Sequence, residues 1–337
     1  GTTGPLVVSD SGSNSSAIPL IRAAAQELGY PILADINCGK WIGFANIHQT
    51  IKQNERNHAA RAFLAPLRNQ NNLMVLRNTV VVKLNLVKNN STGAVTATGV
   101  NVQTTRENCT NFNLKASRDI IITAGAYNTP KILLLSGVGR SVDLAPFNIP
   151  QKINRPVGLN YHNHAFSLHF FTTTASAAEI QDSQNEIGLL VSQATAYIDQ
   201  RNGPFAYVGN MMFGAFINTN DPTINPNSFP NLQWSFYLFD YRQSQLDDIL
   251  IKKFGIKNET AQQIIAANQN SKILMVYNIL LNPKSRGIVR LNEVDPVNNP
   301  ARIYANYFTD AAGYDRTTLI QGIAKLKQLF STSNMTS

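Results

Sequence analysis

The chain is poor in cysteine: in 337 residues there are only two, Cys38 and Cys109. So few exclude a disulfide scaffold, and their wide separation excludes the clustered spacing of a zinc site. Their pairing stays open, either with each other or of one with a residue outside this chain. Long apolar runs are also missing. The longest candidate, residues 132–135, falls far short of the roughly 20 residues that a membrane-crossing helix needs. Acidic residues are scarce, 20 against 29 Lys and Arg, which leaves a formal charge of +9. An excess of that sign suits anionic surfaces, but the cations are scattered and no basic stripe alternates with aromatic residues. A nucleic-acid platform is therefore not expected. The chain lacks internal repeats, and its only biased tract is the serine-rich stretch at 9–16. No metal site is expected.

What is present is a globular composition, 43% hydrophobic and 15% charged, over a length sufficient for two domains with a substantial core. Asparagine in the pattern Asn-x-Ser/Thr occurs at Asn14, Asn89, Asn90, Asn108, Asn258 and Asn334. Such sites arise by chance in a chain rich in Asn, Ser and Thr, but their number favours a secreted glycoprotein. The chain begins at Gly1 with no signal peptide, so a targeting segment would lie outside it.

The order of patterns suggests an α/β chain of α+β character. A short strand follows Gly4-Pro5, and Ser15 or Ser16 then caps a helix running through Leu20, Ala24 and Leu28 to Gly29. A second helix is expected at 58–67. The extended runs 81–86 and 96–103 flank Asn89-Asn90-Ser91-Thr92-Gly93 as a hairpin would. Beyond Pro156, β-rich pieces at 165–173, 233–239, 271–281 and 287–291 are separated by irregular polar loops. Parallel strands need regular helical crossovers, so this half predicts an antiparallel sheet.

The most informative stretch runs from Asp119 to Gly139. It predicts a strand at 119–123, a tight turn at Ala124-Gly125-Ala126, and a helix beginning near Pro130. Thr129 would cap that helix, Pro130 suits a first turn, and Gly137 and Gly139 permit a sharp exit. Small residues at the turn let a ligand approach the backbone, and unpaired N–H groups at the helix start attract an anion. Many β-α units share these features without binding anything, so the physics alone does not decide.

Residue by residue, the run from Gly125 to Gly139 resembles the second signature of the glucose-methanol-choline (GMC) oxidoreductase family. Other fragments agree in order: Gly4-Pro5-Leu6, Gly43-Phe44, Ala62-Phe63-Leu64, Asn72-Leu73, Pro156-Val157-Gly158-Leu159-Asn160 with His164, Asn282-Pro283-Lys284-Ser285-Arg286-Gly287, Asp295-Pro296 and Asn306-Tyr307. The style is similar to the insect branch, with its glucose-dehydrogenase-like and ecdysteroid-oxidase-like members. Three departures from the pattern are Asn163 in place of an Asp before His164, Asp119 in place of a Glu before the signature strand, and Arg155 with His162 in place of commoner residues.

The resemblance implies part of a Rossmann-like FAD-binding domain and an antiparallel-sheet substrate domain, as the middle section of a longer enzyme truncated at both ends. Residues 1–66 would be a substrate-domain and connecting segment, 67–165 the centre of the FAD-binding domain, and 166–337 the substrate domain. It implies hydride transfer from an alcohol of sugar or steroid type to FAD, with oxygen or another acceptor reoxidising the flavin. Flavin contact would fall to Val81, Ala124, Gly125 and Ala126. The family's Gly-x-Gly-x-x-Gly turn is absent, and the catalytic His would lie beyond Ser337, so this chain alone is expected to be inactive. His162 and His164 fall at a structural position of the family, and His48 and His58 have no evident partner. Trp234, Phe236, Tyr237 and Phe239 suit an apolar pocket, but their alternation suits core packing better. From another class, a non-catalytic secreted glycoprotein that kept the fold would show the same residues.

Overall fold

The computed structural model describes residues 4–10, 15–105, 110–174, 186–206 and 213–336. In chain order its helices are α1 (Ala17–Glu27), α2 (Gly125–Leu135), α3 (Ser141–Leu144), α4 (Glu186–Gln200), α5 (Asn258–Asn268), α6 (Tyr314–Phe330) and α7 (Ser333–Thr336). The strands are β1 (Gly43–Asn46), β2 (Ile51–Lys52), β3 (Glu55–Arg56), β4 (Thr79–Lys88), β5 (Val95–Thr104), β6 (Asn111–Lys115), β7 (Leu159–Tyr161), β8 (Phe166–Thr173), β9 (Phe213–Ile217), β10 (Leu232–Phe239), β11 (Lys272–Leu280), β12 (Gly287–Arg290) and β13 (Arg302–Tyr304). The chain forms two compact units, one of residues 1–70, 164–282 and 314–337, the other of 71–163 and 283–313.

The first unit is built on a five-stranded sheet in the order β1-β9-β10-β11-β8, with every pair antiparallel. The antiparallel pairing is what the irregular connections predicted, but β1 joins from the N-terminal segment and the expected piece at 287–291 lies in another sheet. Side chains alternate across a strand, and both faces of β10 use that alternation. Leu232, Trp234, Phe236 and Leu238 enter a core with Ile21 of α1, Phe44 of β1 and Leu326 of α6. On the opposite face Tyr237 and Phe239 pack with Ile273 and Met275 of β11 beneath Leu250 and Ile264. Burying each large apolar side chain is worth roughly 1.5–3 kcal/mol, so a one-residue slip that exchanged the two faces would be heavily disfavoured. Trp234, Phe236 and Phe239 are thus core residues.

The second unit holds the meander β4-β5-β6 and a small sheet, β13-β12-β7. The expected hairpin forms, joined at the Asn89–Gly93 turn, where Asn89 Oδ1 accepts from the N–H groups of Ser91 and Thr92. Helix α2 lies along the outer edge of β4. There the buried Ser136 hydroxyl accepts a 2.8 Å bond from the Leu84 N–H. Residues 283–313 group with 71–163 rather than with the residues from 166 onward, because β12 pairs with β7.

Several local expectations are corrected. Helix α2 starts at Gly125, not near Pro130, so Thr129 is not its cap and Pro130 lies inside it. Proline forfeits one intrahelical bond, while the turn at Gly125, with φ +83°, has already redirected the chain. Residues 119–123 form no ladder, because a strand needs a hydrogen-bonding partner and none lies beside it among the described residues. Residues 73–76 are unpaired in the same way, and Met74 and Ile121 stand 82% and 84% exposed. The helix expected at 58–67 is a wide π turn (Ala60–Leu64) followed by a 3-10 turn (Ala65–Leu67). Ser16 precedes α1 without capping it, and its hydroxyl accepts from Lys272 Nζ at 3.0 Å instead.

Candidate functional site

In the second unit a cavity of about 440 Å³ lies between β4 and α2, lined also by residues 120–124 and by Val297. Two expected contact residues, Val81 and Ala124, line it together. β4 carries a bulge between Val81 and Lys83, and near it the Ser136 hydroxyl ties the end of α2 to Leu84. Gly125 and Ala126 do not line the cavity. They form the exposed first turn of α2. A side chain at Gly125 would meet no atom within 4 Å, so the space above this turn is open.

The start of α2 suits an anion. No side chain caps it and its first turn holds no acidic residue, which leaves its leading N–H groups and the positive end of the helix dipole for a ligand. Asn128, Lys131, Ile132 and Leu135 also face the cavity. Sequence reasoning missed them, although their spacing of three and four along a helix marks one face. The exit matches expectation: Gly137 has φ +84°, and a Cβ there would sit 2.4 Å from the Pro150 carbonyl oxygen.

At the same helix start, Tyr127 Oη and Tyr161 Oη are 3.1 Å apart. The bond to Tyr127, followed by burial, pushes the Tyr161 phenol up to about 12. Nearby, Asn163 donates to Tyr307 Oη at 3.0 Å.

Three of the histidines named above engage neighbouring protein groups. His164 Nδ1 donates to the Leu280 carbonyl at 2.7 Å, His58 Nδ1 accepts from the Arg61 N–H, and His48 faces Asp35 at 3.4 Å. His162 is exposed. The Cys38 thiol donates to Asp35, and that carboxylate pushes it up, away from thiolate character; Cys109 lies outside the described residues. Among the described residues no cluster of His, Cys, Asp or Glu could hold a metal ion, and no helix is long and apolar enough to cross a membrane.

The family profile described as GMC oxidoreductase matches residues 2–166, and the chain belongs to this family. It is 28% identical over 320 residues to ecdysone oxidase of Bombyx mori, covering 94% of this chain and 44% of that protein. It is 33% identical over 315 residues to glucose dehydrogenase [FAD, quinone] of Drosophila pseudoobscura pseudoobscura, covering 92% and 44%. The chain therefore spans about half the length of the curated relatives it matches. Its fold is that of an FAD-dependent oxidoreductase from Chaetomium thermophilum, with TM-score 0.74 at 21% identity over 99% of this chain and 58% of that one.

FAD is the cofactor of this family, and the residues present fit one side of such a dinucleotide. The apolar wall at Val81 suits a flat ring, Ala124 and Gly125 leave room for close approach, and the uncapped start of α2 suits a phosphate.

Proposed function

We propose that this chain is the central part of an FAD-dependent oxidoreductase acting on CH–OH groups, with a sugar-type or steroid-type alcohol as substrate and oxygen or another acceptor as oxidant. The observation that carries the reading is the shared cavity of Val81 and Ala124, opening beside the glycine turn at the uncapped start of α2. When bound, FAD supplies the redox chemistry by accepting hydride from the carbinol carbon. Val81 holds one face of the cofactor, while Ala124, Gly125 and Ala126 let it approach the backbone. In this reading residues 67–165 serve the cofactor together with 283–313, which group with them, and the remainder of 1–66 and 166–337 serves the substrate.

No histidine among the described residues lines the cavity. Residues 1–337 by themselves, with Met74 and Ile121 bare, hold FAD weakly and oxidise no alcohol. The intact protein is secreted and glycosylated in this reading. Asn89, Asn90 and Asn258 are exposed, Asn14 and Asn108 lie outside the described residues, and the Asn334 amide nitrogen donates to Glu27 at 2.6 Å.

The test is to express the full reading frame and follow flavin absorbance through gel filtration, then add glucose or an ecdysteroid. Retained flavin that one of these alcohols bleaches is the expected result. Flavin retained but bleached by no alcohol would favour the non-catalytic glycoprotein, and absence of flavin would end the proposal.

A further inference from the structure

We infer that Lys131 is a positioning residue, latching the loop of residues 292–300 in place as a wall of the cofactor cavity; this rests on the reading of that cavity given above. Lys131 Nζ donates to two backbone carbonyls of the loop, those of Val297 and Asn299, each at 2.7 Å. The loop is shaped to present them. Asp295 Oδ1 accepts from the N–H groups of Val297 and Asn298, its Oδ2 accepts from Asn298 Nδ2, and its carbonyl accepts from the Asn299 N–H. The Asp295 side chain thus satisfies the donors on the inner side of the turn, which leaves the outward carbonyls for an external cation. Asn292 closes the base, bonding to the Val294 N–H with its oxygen and to the Pro300 carbonyl with its amide.

The opposite end of the contact lies on α2, and both ends face the cavity: Lys131 and Val297 line it with Val81 and Ala124. The ammonium is partly desolvated there, a cost that two charge-assisted bonds to carbonyls offset. An ammonium supplies several rotatable donors from one point, as two carbonyls two residues apart require. Without the latch the turn keeps its internal bonds but loses its tie to α2. Only two side-chain bonds, both from Lys131, join this turn to the helix among the described residues.

The experiment uses protein from the full reading frame, as wild type, Lys131→Met and Lys131→Arg. Amide hydrogen exchange is measured on a peptide covering 292–300, and FAD affinity by flavin fluorescence. Expected for Lys131→Met is exchange faster by about tenfold in that peptide alone, with FAD bound about fivefold more weakly and the melting temperature nearly unchanged. Lys131→Arg, which keeps the charge but spreads its donors over a planar fork, should recover only part of either effect. Unchanged exchange in Lys131→Met would overturn the latch. Faster exchange with unchanged FAD affinity would overturn the loop's role as a wall. Wild-type protein that binds no FAD would instead defeat the function proposed above, while the exchange measurement would still decide whether Lys131 holds the loop.

Discussion

The Ser136 hydroxyl bridges two elements of the second unit. It donates to the Ile132 carbonyl at 2.6 Å within its own helix and accepts from the Leu84 N–H at 2.8 Å on the edge of β4. β4 has a partner on one side only, so its outward N–H groups need an acceptor from elsewhere, and Ser136 supplies one in a buried place. Ser136→Ala should leave Leu84 with an unsatisfied buried donor and cost about 1–3 kcal/mol. Urea unfolding, with hydrogen exchange at Leu84 as the local reading, checks this. A loss within error would mean that water replaces the hydroxyl.

Two glycines with nearly the same backbone angle should respond differently to alanine. At Gly137, φ +84°, the new Cβ would meet the Pro150 carbonyl oxygen at 2.4 Å, so strain and a backbone clash add together. At Gly125, φ +83°, it would meet nothing, and only the conformational cost of roughly 1–2 kcal/mol remains. Gly137→Ala should therefore unfold the unit at clearly lower denaturant than Gly125→Ala. Gly125→Ala should instead weaken FAD binding in the intact protein. Equal loss of stability in the two variants would contradict the space seen above Gly125.

In the first unit Asn278, fully buried on β11, accepts from Trp234 Nε1 at 3.0 Å and donates to Ser167 Oγ and to the Leu319 carbonyl. Asn278→Leu fills similar volume but strands the indole N–H and the carbonyl. A loss on the order of 2–4 kcal/mol is expected, because each orphaned buried group costs about 1–3 kcal/mol. A melting curve for the variant superimposable on that of the wild type would show the network to be dispensable.

The Asp221 carboxyl is held down to about 2, first by the Ser228 hydroxyl and then by the hydroxyl and N–H of Thr223. A depressed carboxylate stabilises the folded loop fully above its ordinary value of 3.8, and that contribution disappears as pH falls through about 2. Hydrogen exchange at Thr223 and Ser228 should accelerate between about pH 4 and 2 in the wild type. In Asp221→Asn the acceleration over that window should be absent.

Alternation along β10 already showed in the sequence that Trp234 and Phe236 share a face, and irregular loops already implied antiparallel pairing, because both follow from local geometry that any strand must obey. The α2 region was legible as turn, helix and glycine exit for the same reason. Its start was misplaced by five residues, since Pro130 reads locally as a first-turn residue. The fold instead tolerates one missing bond and begins the helix at the Gly125 turn. Val81 and Ala124, read from family likeness, both line the cavity beside α2. That Lys131, Asn128 and Val297 join them is a tertiary fact, because Val297 lies more than 160 residues from Lys131 in sequence and its segment is brought to this unit by the pairing of β12 with β7 and by contacts with α2. Residues 119–123 mark the limit from the other side. Their composition favours a strand, but a strand exists only where a second backbone supplies its hydrogen bonds, and no single segment carries that information.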